Sequence, residues 1–336
     1  MKNHRNFSFF VPHAGCPNCC VFCSQTKITG VDSDKGLEEE VKELRYMLET
    51  DSSRFEESQI AFFGGSFTAI ERKRMETLLS VANEYIDKGV AESIRISTRP
   101  DCINDEILNI LAKYRVKNIE LGVQSTSDKV LDASSRGHKA YHSFEAAEKI
   151  IGHGLVFGGQ MMIGLPDSTI EDELQTARDI VKMGAREARI YPTVVFEDTK
   201  LCDMAENGEY KPLTLESAVE RTAKCYKIFL DSGVKVLRIG LHASENLKNA
   251  RYGANHPSIG ELVKSCVYTE IISEKAGDCR GRILEIGIRR NDISMLTGHK
   301  GYAIDRIKKQ TGAVGVEIYP TDSAQFEPET KKRSVK

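Results

Sequence analysis

Gly15-Cys16-Pro17-Asn18-Cys19-Cys20-Val21-Phe22-Cys23-Ser24-Gln25 gathers four of the chain's nine cysteines into eight residues near its start. Thiols this close cannot all reach disulfide geometry, and the polar opening Met1-Lys2-Asn3-His4-Arg5 leads into only a short apolar stretch rather than a secretory signal. The crowding therefore points to metal. Two ligand sets are open. Cys16/Cys19 and Cys20/Cys23 form abutting C-x2-C pairs of zinc type, although the pairs of structural zinc sites usually stand about a dozen or more residues apart. Cys16, Cys20 and Cys23 alone form C-x3-C-x2-C, from which one short loop presents three thiolates to three corners of a cubane iron–sulfur cluster. Electron-transfer clusters are normally held by four cysteines, so this set leaves one iron open to a substrate.

At 336 residues the chain can bury one large α/β core and a small appendage. A formal net charge of -2 excludes a globally basic coat for nucleic acid. The charge is uneven, however: from Arg282 to Lys336 there are 11 Lys and Arg against 7 Asp and Glu, which makes this end basic and the remainder acidic. No apolar run approaches the ~18 residues of a membrane span, so the expectation is a cytoplasmic protein without a membrane partner. Cys102, Cys202, Cys225, Cys266 and Cys279 are scattered and read as small apolar residues.

Around the cysteine loop, Phe7 to Pro12 reads as a strand and Gly36 to Thr50 as a helix, with Leu37, Val41, Leu44 and Leu48 at helical spacing. The alternation repeats through strands at Gln59–Phe63, Ser93–Ser97, Asn118–Val123, Leu155–Ile163 and Ala188–Val195. The helices between them span Glu71–Ile86, Asn104–Lys113, Ser127–Ala133, Ser143–Gly152 and Thr169–Met183. Six strands joined by helical crossovers predict a parallel sheet, two units short of a closed eight-fold barrel. The expected fold is a partial, open (β/α)6 TIM-like barrel over residues 1–200. Residues 201–280 follow as a helical and strand extension, with a helix at Leu215–Leu230 and a strand at Val236–Leu241 that extends or flanks the sheet.

Polar motifs fall at the C-terminal ends of successive strands. They are Gly64-Gly65-Ser66-Phe67-Thr68 after the second, Ser97-Thr98-Arg99-Pro100 after the third, and Glu120-Leu121-Gly122-Val123-Gln124 at the fourth. Adjacent glycines let backbone approach a ligand closely, and hydroxyls with a guanidinium can bond a ribose or a carboxylate. Arg136-Gly137-His138 could pair a phosphate or carboxylate, and Gln160 and Tyr191 each set a polar head on an apolar strand, as candidate catalytic, cavity-lining groups.

The C-x3-C-x2-C loop with Phe22 before its last cysteine resembles the radical S-adenosylmethionine (SAM) superfamily, and Pro12-His13-Ala14-Gly15-Cys16-Pro17 with Cys23-Ser24-Gln25 is similar to its Elongator catalytic-subunit branch. The resemblance covers about the first 200 residues. It implies a [4Fe-4S] cluster on Cys16, Cys20 and Cys23, with SAM chelating the open iron and one electron cleaving it to a hydrogen-abstracting radical. It further implies a cofactor site drawing on Phe22, Gly64, Gly65, Ser66, Thr68, Ser97, Arg99, Glu120 and Gln124, and an electron donor such as flavodoxin or ferredoxin. Cys19 is left without a task.

A second informative stretch runs from Arg282 to Ile318: a strand to Ile288, a helix over Asn291–Leu296, Gly298-His299-Lys300-Gly301, a helix carrying Ile304 and Ile307, and the alternating strand Val314, Val316, Ile318. Residues 281–320 resemble the βααβ core of a KH domain, which implies RNA binding through Gly298, His299, Lys300 and Gly301. The polar residues 321–336 read as a disordered tail. Together these expectations describe a radical SAM enzyme acting on RNA, most plausibly a tRNA base, and no acetyl-CoA motif is found beyond the sixth strand. A small-molecule substrate such as a porphyrinogen, or a non-catalytic RNA-binding protein stabilised by metal, are the other readings.

Overall fold

β-branched and aromatic runs bounded by polar turns form the strands, and the amphipathic stretches between them form the helices. The computed structural model describes residues 4–11, 16, 20–23, 36–50, 57–241, 250–298 and 301–334. In chain order the first elements are β1 (His4–Val11), α1 (Leu37–Thr50), β2 (Glu57–Gly64), α2 (Arg72–Asp87), β3 (Ser93–Thr98), α3 (Asp105–Lys113), β4 (Val116–Gln124), α4 (Asp128–Ala133) and α5 (Ala140–Gly152). They continue with β5 (Val156–Ile163), α6 (Ile170–Lys182), β6 (Glu187–Pro192), β7 (Val194–Phe196), α7 (Lys200–Glu206), α8 (Leu215–Asp231), β8 (Lys235–Ile239) and β9 (Ala250–Gly253). The last are α9 (Ile259–Ala276), β10 (Arg282–Arg289), α10 (Ile293–Thr297), α11 (Tyr302–Thr311), β11 (Gly315–Thr321) and β12 (Glu329–Ser334).

The chain divides into two compact units: Met1–Thr214 with Ile228–Asn255, and Leu215–Lys227 with His256–Lys336. In the first, seven strands pair in parallel in the order β1-β2-β3-β4-β5-β6-β8. Strand order in the sheet follows chain order, with β7 left out between β6 and β8 and no reversal. Right-handed crossovers then place the helices that join successive strands on one side, and the sheet curls into a half-barrel. Six of these strands were expected as the barrel, and the seventh, β8, falls on the strand expected at Val236–Leu241 and extends the sheet beyond β6. The expected strand Ala188–Val195 is two strands, because the chain turns at Thr193 and β7 leaves the barrel to pair antiparallel with β9.

Helix ends are set locally. Asn104 accepts from the Ile107 amide at 2.9 Å to start α3, and Thr169 with Asp172 closes a capping box on α6. Between sheet and helices, Ile60, Phe62, Ile94, Ile96, Ile119, Leu121 and Ile190 are completely buried, each contributing roughly 1.5–3 kcal/mol of transfer free energy. Because all seven strands run the same way, their C-terminal ends share one edge, and the motifs singled out above lie along it.

The second unit contains α9 and a sheet of order β11-β10-β12, with β10 parallel to β11 and antiparallel to β12. The βααβ succession is present from β10 to β11, and α9 precedes it. The third strand, however, comes from the end of the chain, so the expectation of disorder over 321–336 is corrected for the described residues. The composition misled because two cationic side chains of β12 are matched by acceptors: Arg333 donates to Glu285 and Glu317, and Lys332 to the Asp278 carbonyl. Phe326 anchors the approach to β12. Its ring stacks on Tyr268 at 4.5 Å, its amide donates to the Tyr268 hydroxyl, and that hydroxyl donates to Asp292. Replacing Phe326, 7% exposed, with alanine is expected to cost about 3 kcal/mol. Rapid amide exchange along β12 in the variant would report its release; unchanged protection would show that pairing with β10 suffices.

Candidate active site

Val11, at the end of β1, lies beside Gly64 at the end of β2, and the Gly65 amide donates to the Val11 carbonyl at 3.0 Å. Gly64 has φ +113°, and a Cβ there would lie 2.7 Å from the Val11 oxygen. Only glycine satisfies both demands, so the chain leaving β2 can press against the strand that feeds the cysteine loop. Ser66 and Thr68 turn inward. Both are hydrogen-bonded to the Thr98 hydroxyl, at 2.8 and 2.6 Å; Thr68 also donates to the Cys102 carbonyl, and Ser66 accepts from the Arg99 amide. These hydroxyls tie the glycine turn to the end of β3.

The cysteine loop is held from three sides. Cys20 is buried, and Arg136 Nη1 lies 3.3 Å from its Sγ. The Val21 amide donates to the Ser134 carbonyl, the Leu201 amide donates to the Val21 carbonyl, and Cys23 closes a turn onto the Cys20 carbonyl. Val21 is packed with Val195, Leu201, Cys202 and Tyr210, and Phe22 lies against the same cluster. Phe22 is half-buried, with part of its surface against this cluster and part open. Cys16 and Cys23 are partly exposed. Burial pushes the Cys16 thiol up from its ordinary value, while the Ser66 amide and the Arg99 guanidinium oppose this. Among the described residues no three His, Cys, Asp or Glu side chains converge on a point suited to a single metal ion. Cys19 and the 12–15 stretch lie outside the described residues.

Two buried arginines meet beside the ends of β3 and β4, Arg99 from the turn after β3 and Arg136 from the segment after α4. Arg99 binds both oxygens of Asp101 and donates through Nη2 to the Arg136 carbonyl at 2.6 Å. Arg136 donates through Nη2 to the Gly122 carbonyl at 2.6 Å. Arg99 Nη1, Arg136 Nε and Gln124 Oε1 are nonetheless buried without a hydrogen-bond partner. Gln124 is also held at φ +62°, a conformation that non-glycine residues seldom adopt. Unpaired buried donors and acceptors each cost on the order of 1–3 kcal/mol. Two cationic donors and one amide acceptor at adjacent strand ends match a ligand carrying a carboxylate and hydroxyl or amino groups.

Glu120 and Gln160 belong to a polar network inside the barrel. Glu120 accepts from Arg95 at 2.9 Å, from Arg189 at 2.6 and 3.1 Å and from Gln160 at 2.8 Å, and Gln160 also donates to Ser97 at 3.2 Å. Arg95 is shared with Glu187 and Gln59. Burial pushes the Glu187 carboxyl up, but its bonds from Arg95 outweigh this and hold it below the usual range. Tyr191 is partly exposed beside Arg189, its phenol pushed up by burial. Asp101, Arg95 and Glu187 carried no motif signal in sequence. Cys102, read as a small apolar residue, has Ser66 and Cys16 as electrostatic neighbours, and burial pushes its thiol up.

His138 is 1% exposed and neither ring nitrogen has a partner. Burial, reinforced by Arg136 and opposed by Asp101, lowers its pKa from 6.5 to about 3. The folded ring stays neutral where the unfolded ring is protonated, so its contribution is complete above pH ~6.5 and is lost as pH falls toward 3. Between pH 6.5 and pH 5 the fold should lose about 2 kcal/mol from this ring. Denaturant titrations of wild type and His138→Leu should show that part of the slope disappear in the variant; identical slopes would mean that the ring is solvated.

Residues 10–180 match the radical SAM superfamily, and residues 186–268 match a radical SAM C-terminal domain. The chain belongs to the radical SAM superfamily. It is thus an enzyme of the class that uses a [4Fe-4S] cluster and SAM. It is 30% identical over 212 residues to an uncharacterized protein of Methanocaldococcus jannaschii, covering 59% of this chain and 64% of that one. To the tRNA uridine(34) acetyltransferase of the same organism it is 32% identical over 188 residues, covering 55% of this chain and 34% of that one. The archaeal Elp3 of Methanocaldococcus infernus with an N-terminal deletion has a similar fold, with a TM-score of 0.63 at 21% identity, covering 80% of this chain and 64% of that one. The radical SAM chain thus spans between about one-third and two-thirds of these relatives. No helix among the described residues is long and apolar enough to cross a membrane.

Proposed function

We propose that this radical SAM enzyme modifies a base of tRNA. Cys16, Cys20 and Cys23 hold the cluster, and Gly64-Gly65, Arg99, Gln124 and Arg136 receive SAM. The observation that carries the SAM assignment is the set of three buried, unpartnered polar atoms on Arg99, Gln124 and Arg136, which a bound carboxylate and polar ribose or amino groups would satisfy. The bound cluster and SAM supply one-electron cleavage of SAM to a radical that abstracts hydrogen. The chain's own residues prepare the place for it. Arg136 joins the cysteine loop to the end of β4, and the Ser66, Thr68 and Thr98 hydroxyls keep the glycine turn against β3. Gln160, anchored on Ser97 and Glu120, and Tyr191 line the interior, where the substrate base is received. The electron comes from a small carrier such as flavodoxin or ferredoxin.

The tRNA reading draws on similarity to the tRNA uridine(34) acetyltransferase and on the basic 282–336 segment with its Gly298–Gly301 turn. At that turn Gly301 adopts φ +78°, and a Cβ on Gly298 would lie 2.6 Å from the Ser294 carbonyl; His299 and Lys300 lie outside the described residues. Nucleoside mass spectrometry of tRNA from cells lacking the protein should show one modified nucleoside lost and its precursor accumulating. An unchanged nucleoside profile would overturn the tRNA assignment and leave the radical SAM chemistry standing.

A further inference from the structure

We propose that a cavity between α8, α9 and α11 in the second unit receives one guanine base of the bound RNA; the proposal rests on the RNA reading above. The cavity holds about 320 Å³, at the lower end of ligand pockets. Its walls are largely apolar, with Leu215 and Val219 from α8, Leu262 from α9 and Ala303 from α11, and Glu216, Ser265 and Thr269 add polar groups to the lining.

Two side chains give the cavity chemical character. Tyr302 lines it and is 52% exposed, so an aromatic face is available to an incoming ring. Arg306, one turn further along α11, also lines it, with Nη1 at 3.4 Å from the Glu220 carboxylate and 3.7 Å from Cys266 Sγ. Unstacked bases are held by stacking on aromatic rings and by hydrogen bonds along their edges. A guanidinium is a planar donor fork, and the edge that suits it is the O6 and N7 acceptor pair of guanine; adenine presents a donor in place of O6. The Glu220 carboxylate beside it is an acceptor for the amino group of guanine.

Position supports the same occupant. Tyr302 and Ala303 follow Gly301 directly, so the cavity wall begins at the residue after the glycine pair. Leu215, Val219 and Glu220 lie on α8, outside the βααβ segment, so the cavity adds base selection to a turn that by itself reads only backbone.

Fluorescence anisotropy with the full chain and three labelled RNA heptamers tests the proposal. One heptamer is all uridine, one carries a single central guanine, and one a single central adenine. The wild type should bind the guanine heptamer several-fold more tightly than the others. Tyr302→Ala should weaken that complex roughly ten-fold or more without changing its salt dependence. Tyr302→Phe should retain binding, and Arg306→Lys should keep the charge but lose the preference for guanine. Equal affinity for the three heptamers, or a guanine preference that survives in Arg306→Lys, overturns the cavity assignment while RNA binding stands. Absence of binding to all three at low salt overturns the RNA reading itself, and the cavity assignment with it.

Discussion

Replacing Cys20 with alanine is expected to reduce iron in the anaerobically reconstituted enzyme from about four per chain to near zero, and with it the release of 5'-deoxyadenosine from SAM. Cys16→Ala and Cys23→Ala should do the same, whereas Cys19→Ala should retain both iron and activity. Placement decides this outcome. Cys20 is fixed through its neighbour Val21, whose amide and carbonyl are both hydrogen-bonded and whose side chain is 2% exposed. The thiol therefore has little freedom to be replaced by an adjacent one. Loss of iron in Cys19→Ala together with retention in Cys20→Ala would falsify the C-x3-C-x2-C assignment and restore the abutting-pair reading. The substitution should be nearly silent in the stability of the apo protein, because the thiol contributes little beyond its contact with Arg136.

What the sequence disclosed and what it hid follow from the range of the interactions. The half-barrel was legible because strand and helix periodicity is local, and because parallel strands require crossovers that the chain plainly contains. The strand-end motifs were legible for a related reason: a parallel sheet brings all such ends to one edge, whatever the tertiary detail. The partners of individual side chains were not legible. Glu120 and Arg95 are 25 residues apart and Arg95 and Glu187 are 92 apart, and no local pattern announces such a pairing. The packing of Phe22 on the Val21 cluster is of the same kind, since Val195, Leu201 and Tyr210 are remote from it in sequence. The tail was misread because charge density was taken for disorder, while Glu285 and Glu317, the acceptors that neutralise Arg333, lie 48 and 16 residues away. The break between β6 and β7 at Thr193 depends on β9, whose pairing with β7 is equally non-local.

Glu120→Ala should destabilise the first unit by about 3–5 kcal/mol, a fall of roughly 10 °C in its thermal midpoint, and should do so in protein carrying neither cluster nor SAM. Both oxygens of Glu120 are committed, Oε1 to Arg95 and Arg189, Oε2 to Arg189 and Gln160. The side chain is 2% exposed. Removing it leaves Arg95 with Glu187 and Gln59, but takes from Arg189 its carboxylate while leaving its cation buried against the ring of Phe63. The cost is that of an uncompensated interior charge and does not depend on any ligand. A residue whose task was only to contact SAM would behave oppositely, with apo stability unchanged and SAM affinity reduced. Calorimetry on the apo protein separates the two. The double variant Glu120→Met with Arg189→Met sharpens the test: removing both charges together should recover most of the lost stability, because apolar groups of similar volume replace an ion pair that was expensive to desolvate. If the double variant is as unstable as Glu120→Ala, the loss comes from packing around the strand and not from the stranded guanidinium.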